Sequence, residues 1–280
     1  GAAPVPVTLL SGFLGAGKTT LLRRVLEGGA AGRVGCIVND VAAVNIDAKL
    51  VKRGSRGGVS DLTDTIELDN GCACCSAGDD LFEALGRLLQ LSRRGGFRYD
   101  RIIVENSGVA EPQNIRDRFQ EAAMMGFPIM KATQLQSMLT VVDAGAFFQE
   151  YEENQSIRSR PDLGGEAGGR RPVVDLLVEQ VEYADVIALN KADTLEEREL
   201  ARLQEIVQTL NPLATIVRSK FGDVPLDLVT ANTSKVPMIN LTVEGQHRGS
   251  VAAARVLEQR EKETKEKAAK EKAAKEKAAK

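Results

Sequence analysis

The chain contains no tryptophan, and aromatic residues make up only 4% of its 280 positions. Hydrophobic residues still reach 43%, which is enough for a sizeable core. Leucine, valine, isoleucine and alanine must therefore build that core. The length permits one or two domains.

Neither sign of charge dominates, because 37 basic and 39 acidic side chains give a formal net charge of −2. This balance gives no reason to expect a nucleic acid or a membrane surface as partner. No apolar run approaches the ~20 residues that span a bilayer, and no signal peptide is visible before the first apolar run. We expect a cytoplasmic protein, or one in an organelle after removal of a targeting segment.

Cysteine is scarce and unevenly placed, at Cys36, Cys72, Cys74 and Cys75. This is not the pattern of a secreted disulfide scaffold. Cys36 lies in the apolar run 34–38 and is expected to be a small buried core residue. The other three occupy a four-residue stretch, which favours a reducing compartment and a metal or redox role.

Residues 12–20 read Gly-Phe-Leu-Gly-Ala-Gly-Lys-Thr-Thr and match the phosphate-binding loop G-x-x-x-x-G-K-[ST]. An apolar run of strand length precedes the loop at 5–10, and apolar residues at helical spacing follow it. Glycines let backbone N–H groups approach phosphates, and the new helix directs its positive end at them. The positions expected to contact the nucleotide are Gly12, Gly15, Ala16, Gly17, Lys18, Thr19 and Thr20.

Two of these side chains have further predicted roles. Lys18 would reach the β- and γ-phosphates and stabilise charge on the transferring phosphoryl group. The Thr19 hydroxyl would be a ligand of Mg²⁺.

Short β-branched runs alternate with helical patterns along the chain. Strands are predicted at 5–10, 34–38, 101–104, 139–142, 186–189 and 214–217, and helices at 19–27, 79–93, 115–125, 173–183 and 195–210. This alternation predicts an α/β protein with a mainly parallel sheet flanked by helices, and the phosphate-binding loop at 12–20 makes the P-loop NTPase fold the expected one. Polar residues follow several strands directly, where ligands of such sheets bind.

Asn190-Lys191-Ala192-Asp193 follows the apolar run 186–189 and resembles the guanine-reading Asn-Lys-x-Asp sequence of GTPases. The Asp193 carboxylate can accept both the N1–H and the N2–H₂ of guanine, a donor pair that adenine lacks. Asn190, Lys191 and Asp193 are therefore predicted to bind the base. Ser219, after the last strand, is a further candidate at the guanine edge.

Acidic residues after two strands are candidates for the hydrolysis machinery. Glu105 ends the run 101–104, where a carboxylate can bind Mg²⁺ through water or position the attacking water. The following Ser107-Gly108 turn could sense the γ-phosphate. Asp40 and Asp47 lie in the predicted switch loop 39–47, and Asp47 is our candidate there for Mg²⁺.

Cys72, Cys74 and Cys75 lie in a turn before the helix predicted at 79–93. Thiolates favour zinc or copper(I), and three sulfurs at ~2.3 Å from zinc are geometrically plausible. The fourth ligand is open between water, Asp69, Glu67 and a client group. A buried apolar turn and a redox-sensing cluster are the alternatives to a metal site.

The expected domain organisation places a P-loop GTPase domain at 1–232, with a polar, flexible insertion at 149–171. Residues 233–250 would form a linker. Residues 251–280 are rich in Lys, Glu and Ala, with favourable i,i+4 Glu–Lys pairs, and predict a solvent-exposed helical tail.

Together these motifs resemble the CobW-type metallochaperone GTPases, also described as zinc-regulated GTPase metalloprotein activators. The resemblance covers roughly residues 5–230 and is carried by segments 12–20, 39–47, 70–75, 105–112, 142–144, 179–185, 190–193 and 210–212. It implies a GTPase that uses Mg²⁺ and couples GTP hydrolysis to the transfer of zinc into a client metalloprotein. It also favours zinc over copper for the three cysteines.

The chain departs from the family in having one histidine, His247, instead of a histidine-rich stretch, and little beyond about residue 245 resembles a client-binding domain. Three other functions stay open. The same GTPase could deliver cobalt or another metal for cofactor assembly, or the chain could be a low-turnover zinc buffer or sensor. An ATP-dependent kinase is disfavoured by the sequence at 190–193.

Overall fold

The computed structural model describes residues 3–27, 32–38, 63–67, 77–153 and 172–230. The strands are β1 (Val5–Ser11), β2 (Val34–Val38), β3 (Thr63–Glu67), β4 (Arg101–Glu105), β5 (Thr133–Asp143), β6 (Val186–Asn190) and β7 (Thr215–Arg218). The helices are α1 (Lys18–Glu27), α2 (Ala77–Gly95), α3 (Pro112–Met124), α4 (Pro128–Ala132), α5 (Phe147–Glu153), α6 (Val173–Glu182), α7 (Glu197–Leu210) and α8 (Leu226–Thr230).

The seven strands form one sheet in the order β3-β2-β4-β1-β5-β6-β7, and every pairing is parallel. β1 is central, between β4 and β5. All carboxyl ends therefore meet at one edge of the sheet, where Ser11, Glu105, Asp143 and Asn190 end their strands. The predicted α/β fold with a parallel sheet is confirmed.

Helices cover both faces of this sheet, because alternate residues of each strand enter different apolar clusters. In β6, Ile187 and Leu189 pack with residues of α6 and α7. Val186 and Ala188 lie on the other face, with residues of α1 and α8. None of the described helices is both long and apolar enough to cross a lipid bilayer.

A buried side chain, Asn211, fastens the turn between α6 and β6. Its Nδ2 donates to the carbonyl oxygens of Val181 and Ala184, each at 2.8 Å. Its Oδ1 accepts from the N–H groups of Leu213 at 3.2 Å and Ala214 at 3.1 Å. One amide thus joins the end of α6 to the start of β7.

The structure differs from the sequence prediction in several elements. β3, α4, α5 and α8 were not predicted, and β5 begins at Thr133 rather than at 139. Residues 149–153, expected in the flexible insertion, belong to α5. The rest of that insertion, the linker 233–250 and the tail 251–280 lie outside the described residues.

Candidate nucleotide-binding site

The loop between β1 and α1 has the backbone that its glycines permit. Gly12, Gly15 and Gly17 have φ values of 137°, 72° and 103°, a region that side chains rarely adopt. A Cβ at Gly12 would lie 2.2 Å from the carbonyl oxygen of Val141, and one at Gly17 would lie 2.4 Å from Asn190 Nδ2. Glycine is therefore required at both positions by conformation and by space.

Lys18 is the first residue of α1, and its side chain folds back over the phosphate loop. Its Nζ donates to the carbonyl oxygens of Gly12 at 2.9 Å and Phe13 at 3.1 Å. The side chain is buried although it is charged. The ammonium group and the N-terminus of α1 thus direct positive charge toward the same loop, an arrangement that binds phosphate.

Thr19 follows in α1 and contacts the end of β4. Its hydroxyl donates to Oε1 of Glu105 at 2.6 Å, and Glu105 is 0% exposed. Hydroxyl and carboxylate oxygens are ligands that Mg²⁺ accepts, usually beside phosphate oxygens and waters. The two groups therefore fit a magnesium ion. Asp40 and Asp47 lie outside the described residues, so the structure does not place the other predicted carboxylates.

The turn after β4 lies against the phosphate loop. A Cβ at Gly108 would lie 2.6 Å from the backbone nitrogen of Leu14. From the other side, Gln180 Nε2 in α6 donates to the carbonyl oxygens of Gly108 at 3.2 Å and Ala110 at 3.4 Å. The turn is thus held between the phosphate loop and α6.

Glu179, also in α6, contacts the start of α3, because its Oε1 accepts from the backbone N–H of Gln113 at 3.2 Å. Sequence reasoning singled out residues 179–185 only as similar to a family. The roles of Glu179 and Gln180 depend on contacts across more than sixty residues, which no local pattern indicates.

Asn190 brings the predicted base-binding segment to the phosphate loop. Its Nδ2 donates to the carbonyl oxygen of Ala16 at 2.8 Å. Its Oδ1 accepts from the Gly222 N–H at 3.0 Å and from the Ser219 hydroxyl at 3.3 Å. The buried amide therefore links the phosphate loop, its own turn and the loop after β7, where Ser219 is buried.

Lys191 and Asp193 occupy the turn that follows. Lys191 has a left-handed backbone with a φ of 56°, and its Nζ lies 2.6 Å from Oδ2 of Asp143. Asp193 lies in the 3-10 turn Ala192–Thr194 and is exposed. Its carboxylate is thus accessible to a ligand that arrives from solvent, as the predicted role in base recognition requires.

Of the four cysteines, Cys36 alone lies within the described residues. Cys36 is buried in β2, and burial raises the pKa of its thiol, with smaller effects in the same direction from the charges of Glu105 and Asp64. A protonated buried thiol is a poor metal ligand. Cys72, Cys74 and Cys75 lie outside the described residues. Within the described residues, no group of three or more His, Cys, Asp or Glu side chains could hold a metal ion.

Residues 6–218 match the sequence model of the family described as CobW/HypB/UreG, nucleotide-binding domain. The chain belongs to the CobW/HypB/UreG family. The resemblance found from the sequence motifs is therefore confirmed.

Two relatives from this family illustrate the similarity. The chain is 34% identical over 233 residues to zinc-regulated GTPase metalloprotein activator 1 of Dictyostelium discoideum, covering 81% of this chain and 48% of that protein. It is 36% identical over 236 residues to zinc chaperone CobW of Pseudomonas aeruginosa, covering 81% of this chain and 60% of that protein. The chain thus spans about half to three-fifths of these relatives, whose names agree with the predicted zinc-linked GTPase.

A solved structure of another GTPase shares the fold. The crystal structure of Zn(II)-bound YjiA GTPase from E. coli superposes with a TM-score of 0.56 at 23% sequence identity. The superposition covers 84% of this chain and 64% of that chain. The parallel sheet and its helices are therefore common to both proteins.

Proposed function

We propose that the chain is the GTP-hydrolysing part of a zinc metallochaperone, which couples GTP binding and hydrolysis to zinc transfer into a client metalloprotein. The observation that carries this proposal is the 2.8 Å hydrogen bond from Asn190 Nδ2 to the carbonyl oxygen of Ala16. It joins a guanine-type recognition turn to a phosphate loop, so that one nucleotide can contact both.

Guanine selectivity would come from the exposed carboxylate of Asp193. With the phosphates in the loop at 12–20, the base extends toward the turn that starts at Asn190. Asp193 accepts the N1–H and N2–H₂ of guanine, whereas adenine would leave the carboxylate without these donors. Asn190 has a positioning role, because both ends of its amide are engaged by protein atoms.

Hydrolysis would use groups that the fold already brings together. Thr19 and Glu105, with Asp47 as a third predicted carboxylate, would hold Mg²⁺, which supplies positive charge beside the β- and γ-phosphates. Lys18 would stabilise charge on the transferring phosphoryl group. Glu105 would orient the attacking water from the end of β4, beside β1.

Zinc is the cargo in this proposal, bound by Cys72, Cys74 and Cys75. These cysteines lie between β3, which ends at Glu67, and α2, which begins at Ala77. Because β3 is parallel to β2, its carboxyl end at Glu67, which precedes the cysteines in the chain, lies at the same edge of the sheet as Glu105 and Asn190. That origin supports a coupling between the metal and the nucleotide.

Coupling of this kind is reciprocal, so zinc would tighten GTP binding by the same factor by which GTP tightens zinc binding. The client metalloprotein would receive the metal after hydrolysis. The names of the relatives, an activator of metalloproteins and a zinc chaperone, support this direction of transfer.

The test is GTP hydrolysis by the purified chain with zinc chelated and then with one equivalent restored. The Cys72→Ser/Cys74→Ser/Cys75→Ser variant is measured beside it, and cobalt replaces zinc in a parallel series. We expect a zinc-dependent rate that the variant loses. A hydrolysis rate that is the same with and without zinc, and in the variant, would contradict the coupling. A larger increase in rate with cobalt than with zinc would indicate that cobalt is the cargo.

A further inference from the structure

Phe221 combines a strained backbone with an exposed aromatic ring. Its φ is 53°, and the residue is 66% exposed. A bulky residue in the left-handed region is an outlier that costs conformational energy. Among the described residues other than glycine, only Phe221 and Lys191 have a positive φ. Lys191 follows Asn190 in sequence, and Phe221 precedes Gly222, whose N–H donates to the Asn190 side chain.

The backbone around Phe221 is fixed by contacts on both sides. Gly222 donates its N–H to Asn190 Oδ1 at 3.0 Å, and a Cβ on Gly222 would lie 2.7 Å from the backbone nitrogen of Leu21. Asp223 donates its N–H to the carbonyl oxygen of Lys220 at 3.0 Å, and its carboxylate lies 3.1 Å from Arg24. The loop is therefore held against the first turns of α1, beside the phosphate loop.

Packing in the protein core does not account for the position of the Phe221 ring. None of the three apolar clusters among the described residues includes Phe221. The fold thus maintains an unfavourable backbone conformation for an aromatic side chain that solvent reaches. Such a combination is characteristic of positions that contact a ligand.

We propose that Phe221 is the stacking platform for the guanine base of the bound nucleotide. This inference rests on the proposed function and adds the contact with the face of the base. Asp193 reads the edge of guanine, but an edge contact leaves the two flat faces in water. An aromatic ring beside the same turn can cover one face, as aromatic side chains do for bases in other proteins.

The chain offers a direct test because it contains no tryptophan. In the Phe221→Trp variant all tryptophan emission comes from this one position. We expect GDP to quench that emission by stacking, and pyrophosphate, which has no base, to leave it unchanged. Binding of GDP detected by calorimetry without a change in emission would overturn the proposal.

Phe127 provides the matched control. It is also an exposed aromatic, at 44%, but its φ of −55° is ordinary and it precedes α4, which leads into the amino end of β5. The opposite edge of the sheet holds the nucleotide site. The Phe127→Trp variant should show the same emission with and without GDP.

Affinity gives a second readout. We expect Phe221→Ala to weaken GDP binding about tenfold, in the range measured for single aromatic–base stacks, and to leave pyrophosphate binding unchanged. Phe127→Ala should leave both affinities unchanged. Thermal unfolding without nucleotide checks that each variant is folded.

The outcomes separate this proposal from the function on which it rests. If the unsubstituted protein binds no guanine nucleotide, the proposed function is wrong and the stacking role falls with it. If it binds GDP and Phe221→Ala binds equally well, only the stacking role is wrong. Equal loss of GDP and pyrophosphate binding would also overturn it, because the ring would then support the phosphate loop instead of the base.

Discussion

The hydroxyl of Thr19 donates a 2.6 Å hydrogen bond to the carboxylate of Glu105, although the two residues are 86 positions apart. The contact joins the first turn of α1 to the carboxyl end of β4. It also places the two oxygen groups proposed for Mg²⁺ within reach of one ion.

The first prediction concerns the charge of Glu105. Glu105→Gln keeps the shape of the side chain and an oxygen that can accept from Thr19, but it removes the negative charge. We expect GTP turnover to fall about 10²-fold, the lower end of the range for groups that act in proton transfer or water positioning. Single-turnover hydrolysis at saturating GTP measures this. The control variant Glu121→Gln, on the exposed surface of α3, should retain full activity. An unchanged rate in Glu105→Gln would show that Glu105 takes no part in hydrolysis.

Asp193 sets the second prediction, which concerns the identity of the base. In Asp193→Asn, the amide oxygen can still accept a hydrogen bond from the N1–H of the base. The amide NH₂, however, is a donor at the place where the carboxylate of Asp193 accepts from the 2-amino group of guanine. Xanthine carries a carbonyl in place of the 2-amino group of guanine, so the variant should prefer xanthosine triphosphate. We expect GTP affinity to fall at least about tenfold, from the loss of a charged hydrogen bond. Competition binding with GTP, ATP and xanthosine triphosphate measures the change, and undiminished preference for GTP would contradict it.

A third prediction compares two glycines. Gly108→Ala places a Cβ 2.6 Å from the Leu14 backbone nitrogen, and that atom cannot move aside as a side chain could. We expect a loss of about 1–3 kcal/mol in the free energy of unfolding together with reduced GTP turnover.

Gly86 is the control for that comparison. It lies within α2, and a Cβ there would meet nothing within 4 Å. Gly86→Ala should raise the free energy of unfolding by about 0.5–1 kcal/mol, because alanine is the better helix former. Urea unfolding measures both variants, and equal stability of the two would show that the approach of Gly108 to Leu14 is not restrictive.

Asn211 gives a prediction about stability alone. Asn211→Ala removes the hydrogen bonds that the amide makes to three carbonyl groups and two N–H groups. We expect the free energy of unfolding to fall by about 2–3 kcal/mol, since buried unpaired polar groups are costly. Glu205→Ala, on the exposed surface of α7, should change stability by less than about 0.5 kcal/mol. GDP affinity should be the same in both, so a selective loss of GDP binding in Asn211→Ala would contradict a purely structural role.

The last prediction concerns the pH dependence of a thiol. Burial raises the pKa of Cys36, so the protonated form persists above the pH at which an ordinary thiol ionises. Because the thiolate is the reactive species, iodoacetamide should label Cys36 slowly in the folded protein even at pH 9, and rapidly after unfolding. Mass spectrometry of the Cys72→Ser/Cys74→Ser/Cys75→Ser variant isolates this signal. Fast labelling of the folded protein would show that the thiol is accessible and ionised.

The parts of the site that could be predicted from sequence are the ones encoded locally. The loop at 12–20 and the turn at Asn190 combine special residues with an apolar strand directly before them. The parallel sheet follows from the alternation of such strands with helices. β3 was missed because its sequence, Thr-Asp-Thr-Ile-Glu, contains one aliphatic residue and lies at the edge of the sheet, where a strand needs little apolar surface.

Other features depend on distant contacts or on backbone geometry. Gln180 supports the turn after β4 across about seventy residues, and its sequence neighbours give no sign of that partner. Phe221 was missed for a different reason. An exposed aromatic in a loop forms no pattern, and only its φ reveals that the fold holds it in an unfavourable conformation.

The central position of β1 has a consequence during protein synthesis. β1 is made before its sheet neighbours β4 and β5, which pair Val7 with Ile102 and Leu135, 95 and 128 residues later in the chain. At typical translation rates of about 5–20 residues per second, this strand emerges from the ribosome several seconds before either partner exists. The nascent chain therefore exposes an apolar segment for that interval, which is the kind of segment that molecular chaperones bind.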